Sequence, residues 1–148
     1  EALIALFAAY QKRGQISRAA FVAMSACLER LGRKLADATV VCVHSDLSLS
    51  NLLLTDQGLV PIDFSLAGFS SPLLDFGSLF SFIPDEFCRE QLLRGYEKTT
   101  GIVIDEQEIA DYVALQILLG IMLHIEAWVD EEWFHQQLPQ WCSEYFAG

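Results

Sequence analysis

Apolar residues recur at three- and four-residue steps over most of the chain, which is the spacing of one face of an α-helix. The clearest case is Phe21, Met24, Leu28 and Leu31, with Ser17 placed before them as an N-cap. Asp105 followed by Glu108 resembles the start of another capped helix. The predicted helices are residues 2–10 (stopping at Gly14), a helix from Ser17, and residues 73–82, 85–99, 105–129 and 131–145.

The pattern changes in the middle of the chain, where short β-branched and apolar runs replace the helical period. Residues 39–43 predict a short buried strand. Residues 52–54 and 59–62 flank the sequence Asp-Gln-Gly, and two apolar runs around such a turn predict a β-hairpin. Pro61 has no backbone N–H, so its strand should have an unpaired edge there. The predicted fold class is α+β and predominantly helical, with residues 1–148 forming a single domain.

The most apolar stretch, residues 112–125, contains Gln116 and His124. It is shorter than the roughly 20 residues that a bilayer span needs, and no signal peptide is visible. We therefore expect a buried core helix and no membrane partner. The four cysteines are scattered without a CxxC pair, which is typical of free thiols in a reducing cytoplasm, so we expect a cytoplasmic protein.

The formal net charge of -11 argues against nucleic acid as a partner, because binding to a phosphate backbone needs a basic face. An acidic protein suits a cationic substrate.

Three polar side chains interrupt the apolar β region: Asp46, Asn51 and Asp63. Such groups beside buried strands are costly unless something pairs with them. If the hairpin turn centres on Gln57, Asn51 faces Asp63 with Cβ atoms about 5 Å apart, although a bulge at Gly58 would shift this register by one. Carboxylate and amide oxygens suit Mg²⁺. Asp46, on the same loop, could accept the proton of a substrate hydroxyl.

The motifs of this region follow a recognisable order. Residues 44–46 read His-Ser-Asp, Asn51 follows five positions after Asp46, and residues 62–64 read Ile-Asp-Phe. The series, with the segment 67–76 after it, resembles the catalytic loop and metal-binding segment of the protein-kinase-like fold. The form is most similar to the aminoglycoside phosphotransferase and choline kinase family.

This resemblance implies a C-terminal lobe of the kinase-like fold, with the catalytic loop at a small β-hairpin. It implies Asp46 as the catalytic base and Asn51 and Asp63 as ligands of Mg²⁺, through which they would bind the phosphates of ATP or GTP. His44 and Asp75 would be structural supports of the loop. The implied reaction is transfer of the γ-phosphoryl group to a hydroxyl of a small molecule.

The sequence departs from the family pattern in two respects. Ser45 stands where the family usually has glycine, and the chain has no glycine-rich nucleotide loop and no strand lysine. We therefore expect the N-terminal, ATP-binding lobe to be absent from this chain, and the chain alone to be inactive or weakly active. The parent protein would be the active kinase.

Two alternatives remain open. One is a non-catalytic binding or dimerisation module, in which the surface that faces the missing lobe joins two copies. The other is a metal-dependent hydrolase using His44, Asp46 and Asp63 with Zn²⁺ or Mn²⁺.

Overall fold

The computed structural model describes residues 1–147, and helices make up 67% of the chain. Together with two small β-sheets, this confirms the predominantly helical α+β class. The chain divides into two units. The first contains residues 1–37 and the stretch that begins at Ile117, and the second contains residues 38–116. In chain order the elements are α1 (Ala2–Lys12), α2 (Arg18–Ala36), β1 (Val41–Val43), β2 (Leu52–Thr55), β3 (Gly58–Pro61), β4 (Gly68–Ser70), α3 (Leu73–Phe82), α4 (Glu86–Thr100), α5 (Glu106–Trp128) and α6 (Glu132–Trp141).

The described residues of the first unit form helices joined by short loops. As predicted, α1 ends close to Gly14, which has a φ of 75°. Helix α2 begins after the predicted N-cap Ser17, whose hydroxyl accepts a hydrogen bond of 3.1 Å from Ala20 N. A π-helical turn, Cys142–Phe146, follows α6. Fully buried side chains of this unit include Phe7, Met24, Cys27, Ile121, Phe134 and Phe146.

The second unit holds all the strands found in the described chain. Strand β1 pairs antiparallel with β4, and β2 pairs antiparallel with β3. The β2–β3 hairpin is a separate two-stranded sheet, so the strand carrying Pro61 has an outer edge, as predicted. Helices α3 and α4 and the N-terminal part of α5 complete the unit.

The strand predicted at residues 39–43 is shorter and more exposed than expected. Strand β1 contains only residues 41–43, and Val43 is 4% exposed whereas Val41 is 39% exposed. The prediction of a buried strand is therefore wrong except at Val43. The reason is that β1 belongs to a sheet of two strands, which covers little of its own surface.

The predicted hairpin register is also wrong by one residue. Thr55 pairs with Gly58 and Leu52 with Pro61, so the turn consists of Asp56 and Gln57 alone. Gly58 has a φ of 115°, which glycine adopts readily and which permits this tight turn. Consequently Asn51 does not face Asp63; its carbonyl oxygen accepts a hydrogen bond of 2.9 Å from Ile62 N.

Helix α5 has nearly the predicted limits, residues 105–129, and is longer than the apolar stretch of residues 112–125. Its 23 residues reach a mean hydropathy of 1.5 over their most apolar window, so by length and composition this helix could cross a membrane. The expectation that no span is long enough rested on the shorter stretch 112–125 and is wrong for the whole helix. One such helix is weak support for a span, because the core helices of globular proteins pass the same test. Ile109, Leu118, Ile121 and Ile125 of α5 are buried, as in a core helix.

Helices α3 and α5 approach each other closely at a glycine. A Cβ atom added to Gly77 would lie 2.5 Å from the carbonyl carbon of Tyr112 and 2.6 Å from its oxygen. Non-bonded atoms do not approach each other this closely, so the contact between the two helices requires glycine at position 77.

Candidate functional site

The loop that follows β1 is fixed to the start of α3 by one carboxylate. Asp75 lies in the first turn of α3, and its Oδ2 accepts a hydrogen bond of 2.9 Å from His44 N. Its Oδ1 accepts a second bond of 2.8 Å from Ser45 N. Charge-assisted hydrogen bonds of this kind are stronger than neutral ones. Asp75 therefore holds two consecutive peptide groups immediately before Asp46.

The side chain of His44 connects this loop to the segment that carries Asp63. It is buried, and its Nε2 donates a hydrogen bond of 2.8 Å to the carbonyl oxygen of Ile62. A carbonyl can only accept, so Nε2 carries the proton. The imidazole also packs against the Phe64 ring, with 4.6 Å between centroids. His44 thus packs against both neighbours of Asp63 in the chain.

Ser45 has an unusual backbone conformation, with a φ of 68° in the left-handed region. That region disfavours residues with a Cβ atom and favours glycine, which accounts for the glycine expected at this position from the family resemblance. The carbonyl oxygen of Ser45 accepts a hydrogen bond of 3.1 Å from Gln116 Nε2, which also donates to Leu74 O at 3.3 Å.

Gln116 is a site residue that the sequence analysis did not identify. The available signal was an amide in the middle of an apolar helix, where a buried polar group needs a partner. The sequence could not show that its partners lie 71 and 42 positions earlier in the chain.

Asp46 and Asn51, both predicted as site residues, are in direct contact. The Asn51 Nδ2 donates to the Asp46 carboxylate Oδ2 and to the Asp46 carbonyl oxygen, each at 2.9 Å. Asn51 ends a short 3₁₀ turn, Leu49–Asn51, which brings its side chain back toward Asp46. Because the amide nitrogen is used as a donor toward Asp46, the Asn51 Oδ1 is the atom that can serve as a cation ligand.

Asp63 is exposed and has a left-handed backbone, with a φ of 59°. Its Oδ1 accepts a hydrogen bond of 3.3 Å from Ser65 N. Hydrogen bonds from the Ser65 hydroxyl and then from its backbone N–H hold the pKa of Asp63 below the ordinary value of 3.8, and His44 lowers it further. Asp63 is therefore a carboxylate at neutral pH, which is the form that binds cations.

Asn51 and Asp63 each carry an oxygen of the kind that a hard divalent cation prefers. Asn51 offers an amide oxygen and Asp63 a carboxylate, and Mg²⁺ usually takes only one or two protein carboxylates, leaving its other positions to phosphate and water. No three His, Cys, Asp or Glu side chains within residues 1–147 are placed to share a metal ion. The described residues therefore do not bring His44, Asp46 and Asp63 together as the hydrolase alternative requires.

A family model, APH, described as the phosphotransferase enzyme family, matches residues 4–112. The chain belongs to this phosphotransferase family. No curated protein and no solved structure gives a significant match to it. Membership confirms the resemblance drawn from the loop motifs, and it implies phosphoryl transfer as the general activity.

The matched segment of this phosphotransferase family member contains all five predicted site residues, whereas Gln116 lies beyond its end. The predicted residues form two connected groups in the structure. His44 and Asp75 meet at the start of the loop, and Asp46 and Asn51 meet within it. The neighbours of Asp63 connect it to both groups: His44 contacts Ile62 and Phe64, and Ile62 N donates a hydrogen bond to Asn51 O.

Proposed function

We propose that this chain is the catalytic, C-terminal lobe of a kinase-like enzyme that transfers the γ-phosphoryl group of ATP or GTP to a hydroxyl of a small molecule. The observation that carries the proposal is the contact of the Asn51 amide with the Asp46 carboxylate at 2.9 Å. This contact pairs a candidate base with a candidate metal ligand on one short loop, as in the catalytic loop of protein kinases.

Asp46 is the general base in this proposal. As the acceptor oxygen bonds to the γ-phosphorus and the bond to the leaving nucleoside diphosphate breaks, the acceptor proton passes to the Asp46 carboxylate. The Asn51 amide donates to Oδ2 of that carboxylate and so limits its rotation. Catalysis of this type depends mainly on positioning and on charge neutralisation, and the loop residues supply the positioning.

Asn51 and Asp63 would hold Mg²⁺ through an amide oxygen and a carboxylate. When bound, the ion would neutralise charge on the nucleotide phosphates. Asp63, whose pKa is lowered from 3.8, is ionised across the neutral range. His44 and Asp75 act as supports: one packs on the segment of Asp63, and the other fixes the backbone before Asp46.

We propose a cationic acceptor, such as an amino alcohol or an amino sugar. The net charge of -11 attracts cations toward the protein as a whole.

The proposal predicts that Asp63 is needed for nucleotide binding. Mg·ATP would be titrated by calorimetry into this chain and into the longest natural protein that contains it. We expect Asp63→Ala to weaken binding at least about tenfold, because a ligand of a phosphate-bound cation is lost. Asp56→Ala, which removes an exposed carboxylate at the hairpin turn, is the matched control and should leave the affinity unchanged.

Two results would contradict this prediction. If the longest natural form is folded and does not bind Mg·ATP, the kinase function is wrong. Equal binding by Asp63→Ala and wild type would instead remove Asp63 from the site.

A second candidate function is favoured by the exposed apolar surface of the hairpin. Leu54 and Leu59 pair with each other across β2 and β3, and they are 83% and 65% exposed. Exposed apolar patches are common at protein–protein interfaces. The candidate is a non-catalytic module that pairs with a second copy of itself through this hairpin. It differs from the kinase in requiring no Mg·ATP binding.

A further inference from the structure

The Ser45 peptide unit is held from both sides by side chains distant in sequence. Asp75 Oδ1 accepts from its N–H at 2.8 Å, and Gln116 Nε2 donates to its carbonyl at 3.1 Å. Ser45 has a φ of 68°, a conformation that its Cβ atom disfavours. A disfavoured conformation persists only where surrounding groups fix it. Here one of those groups is the predicted support Asp75, and the other, Gln116, has no assigned role.

The reach of Gln116 depends on the close contact between α3 and α5. Tyr112 is four residues before Gln116, which is about one helical turn, so the two residues lie on the same side of α5. Tyr112 is the residue whose backbone contacts Gly77. Because a glycine at position 77 lets α5 come this close to α3, the Gln116 amide can reach Leu74 O at the start of α3 and Ser45 O on the loop.

Gln116 is suited to this position by its amide group. Its Nε2 provides two N–H donors and meets two carbonyl acceptors, so both donors are used. A leucine of similar size would leave both carbonyl groups without this partner. A glutamate would place acceptor oxygens against acceptor oxygens.

We propose that Gln116 is a positioning residue of the catalytic loop. By holding the Ser45 carbonyl, it fixes the left-handed turn that directs the next residue, Asp46, to Asn51. The catalytic consequence rests on the proposed kinase function, whereas the effect on the Ser45 backbone does not. Gln116 touches neither reacting group and acts through the loop backbone.

The first measurement is independent of activity. Three-bond HN–Hα couplings and ¹³C shifts of Ser45 report its backbone conformation by NMR. In Gln116→Leu we expect Ser45 to lose its left-handed signature and its amide to exchange about tenfold faster with solvent, as the loss of one hydrogen bond allows. Gln107→Leu, on the exposed first turn of the same helix, is the matched control and should change neither reading.

The second measurement is the turnover of Mg·ATP by the longest natural form of the protein. We expect Gln116→Leu to lower kcat about tenfold with KM for Mg·ATP nearly unchanged, because the base is misplaced while the metal ligands stay. Adding Ser45→Gly should restore part of kcat, since glycine adopts the left-handed conformation without support. A residue that only stabilised the fold would leave kcat per folded molecule unchanged, so the fall in kcat separates the two roles.

The outcomes separate the two proposals. If Ser45 keeps its left-handed signature in Gln116→Leu, or if Ser45→Gly restores nothing, the positioning role is wrong. If wild type shows no turnover at all, the kinase function is wrong, and the NMR comparison still decides the role of Gln116 in the loop. Should Gln116→Leu fail to fold, Gln116→Glu has the same size and removes the same donors.

Discussion

At the scale of single residues, backbone conformation sets this site apart from the rest of the described chain. Within residues 1–147, Ser45 and Asp63 are the only residues other than glycine with a positive φ, and both belong to the candidate site. Asp63 is stabilised locally, because its side chain accepts a hydrogen bond from Ser65 N. Ser45 depends instead on Asp75 and Gln116, which are distant in sequence. Conformations of this kind are common at functional sites.

We predict that Ser45→Gly makes the protein more stable. Relief of the left-handed conformation is worth roughly 1–2 kcal/mol, while the greater freedom of glycine in the unfolded chain costs roughly 0.4–1 kcal/mol. The difference predicts a rise in the free energy of unfolding of about 0.5 kcal/mol, measured by urea denaturation. Ser50→Gly, in the 3₁₀ turn of the same loop, gains no such relief and should be destabilising. A loss of stability in Ser45→Gly would show that serine is not strained there.

At the scale of elements, the helices and the β2–β3 hairpin were predictable from the sequence, whereas the hairpin register and the pairing of β1 with β4 were not. Helix α3 has the predicted limits, α2 begins after the predicted cap Ser17, and α4 begins one residue after the predicted start at residue 85, because periodicity and capping are local properties. The pairing of β1 with β4 joins residues at least 25 positions apart, as at Val43 and Gly68, and local patterns carry no such information. The hairpin register was missed by one because it depends on the conformation of Gly58.

The contact between α3 and α5 gives a prediction about helix packing. Gly77→Ala should destabilise the protein by about 1–3 kcal/mol, because the added methyl group would overlap the Tyr112 backbone and force the helices apart. Gly95→Ala, in α4, is the matched control, since a Cβ there meets nothing within 4 Å. Its higher helix propensity should stabilise the protein by about 0.5–1 kcal/mol. Thermal or urea unfolding would measure both, and equal effects would contradict the packing argument.

The start of α4 gives a prediction about pH. Hydrogen bonding, first from Cys88 N, holds the pKa of Asp85 below its ordinary value of 3.8. A carboxyl group with a lowered folded-state pKa stabilises the protein above its unfolded pKa, and this contribution is lost as the pH falls through the folded value. Asp85→Asn keeps a capping side chain without the charge. The wild type should therefore be more stable than Asp85→Asn near neutral pH.

This advantage should shrink as the pH falls below 3.8, as measured by urea unfolding midpoints across that range. Asp56→Asn serves as the matched control for the loss of one negative charge, because Asp56 lies in the hairpin turn and caps no helix. A difference between wild type and Asp85→Asn that does not change with pH would contradict the prediction.

At the scale of the whole molecule, two surface properties oppose each other. The net charge of -11 makes copies of the chain repel one another, whereas both faces of the β2–β3 hairpin expose leucine or valine side chains. Salt screens the repulsion and leaves the apolar attraction in place. If the hairpin joins two copies, association should therefore increase with salt concentration.

We predict that Leu54→Lys weakens this association by at least about tenfold, as measured by sedimentation velocity over a range of concentrations. The substitution also reduces the net negative charge, which by itself would favour association, so a loss would have to come from the apolar contact. Val22→Lys changes the charge equally at a residue of α2 that is 55% exposed, and it should not weaken association. Wild type that stays monomeric at high salt would exclude the dimer.

The close contact at Gly77 also determines which mutations this protein can tolerate as its sequence evolves. Two of the atoms that an added Cβ would meet are the carbonyl carbon and oxygen of Tyr112, which every amino acid carries. A substitution at position 112 therefore cannot make room for a larger residue at 77. In a selection from random variants, position 77 should return glycine without any suppressor at 112, whereas Gly95 should be replaced freely.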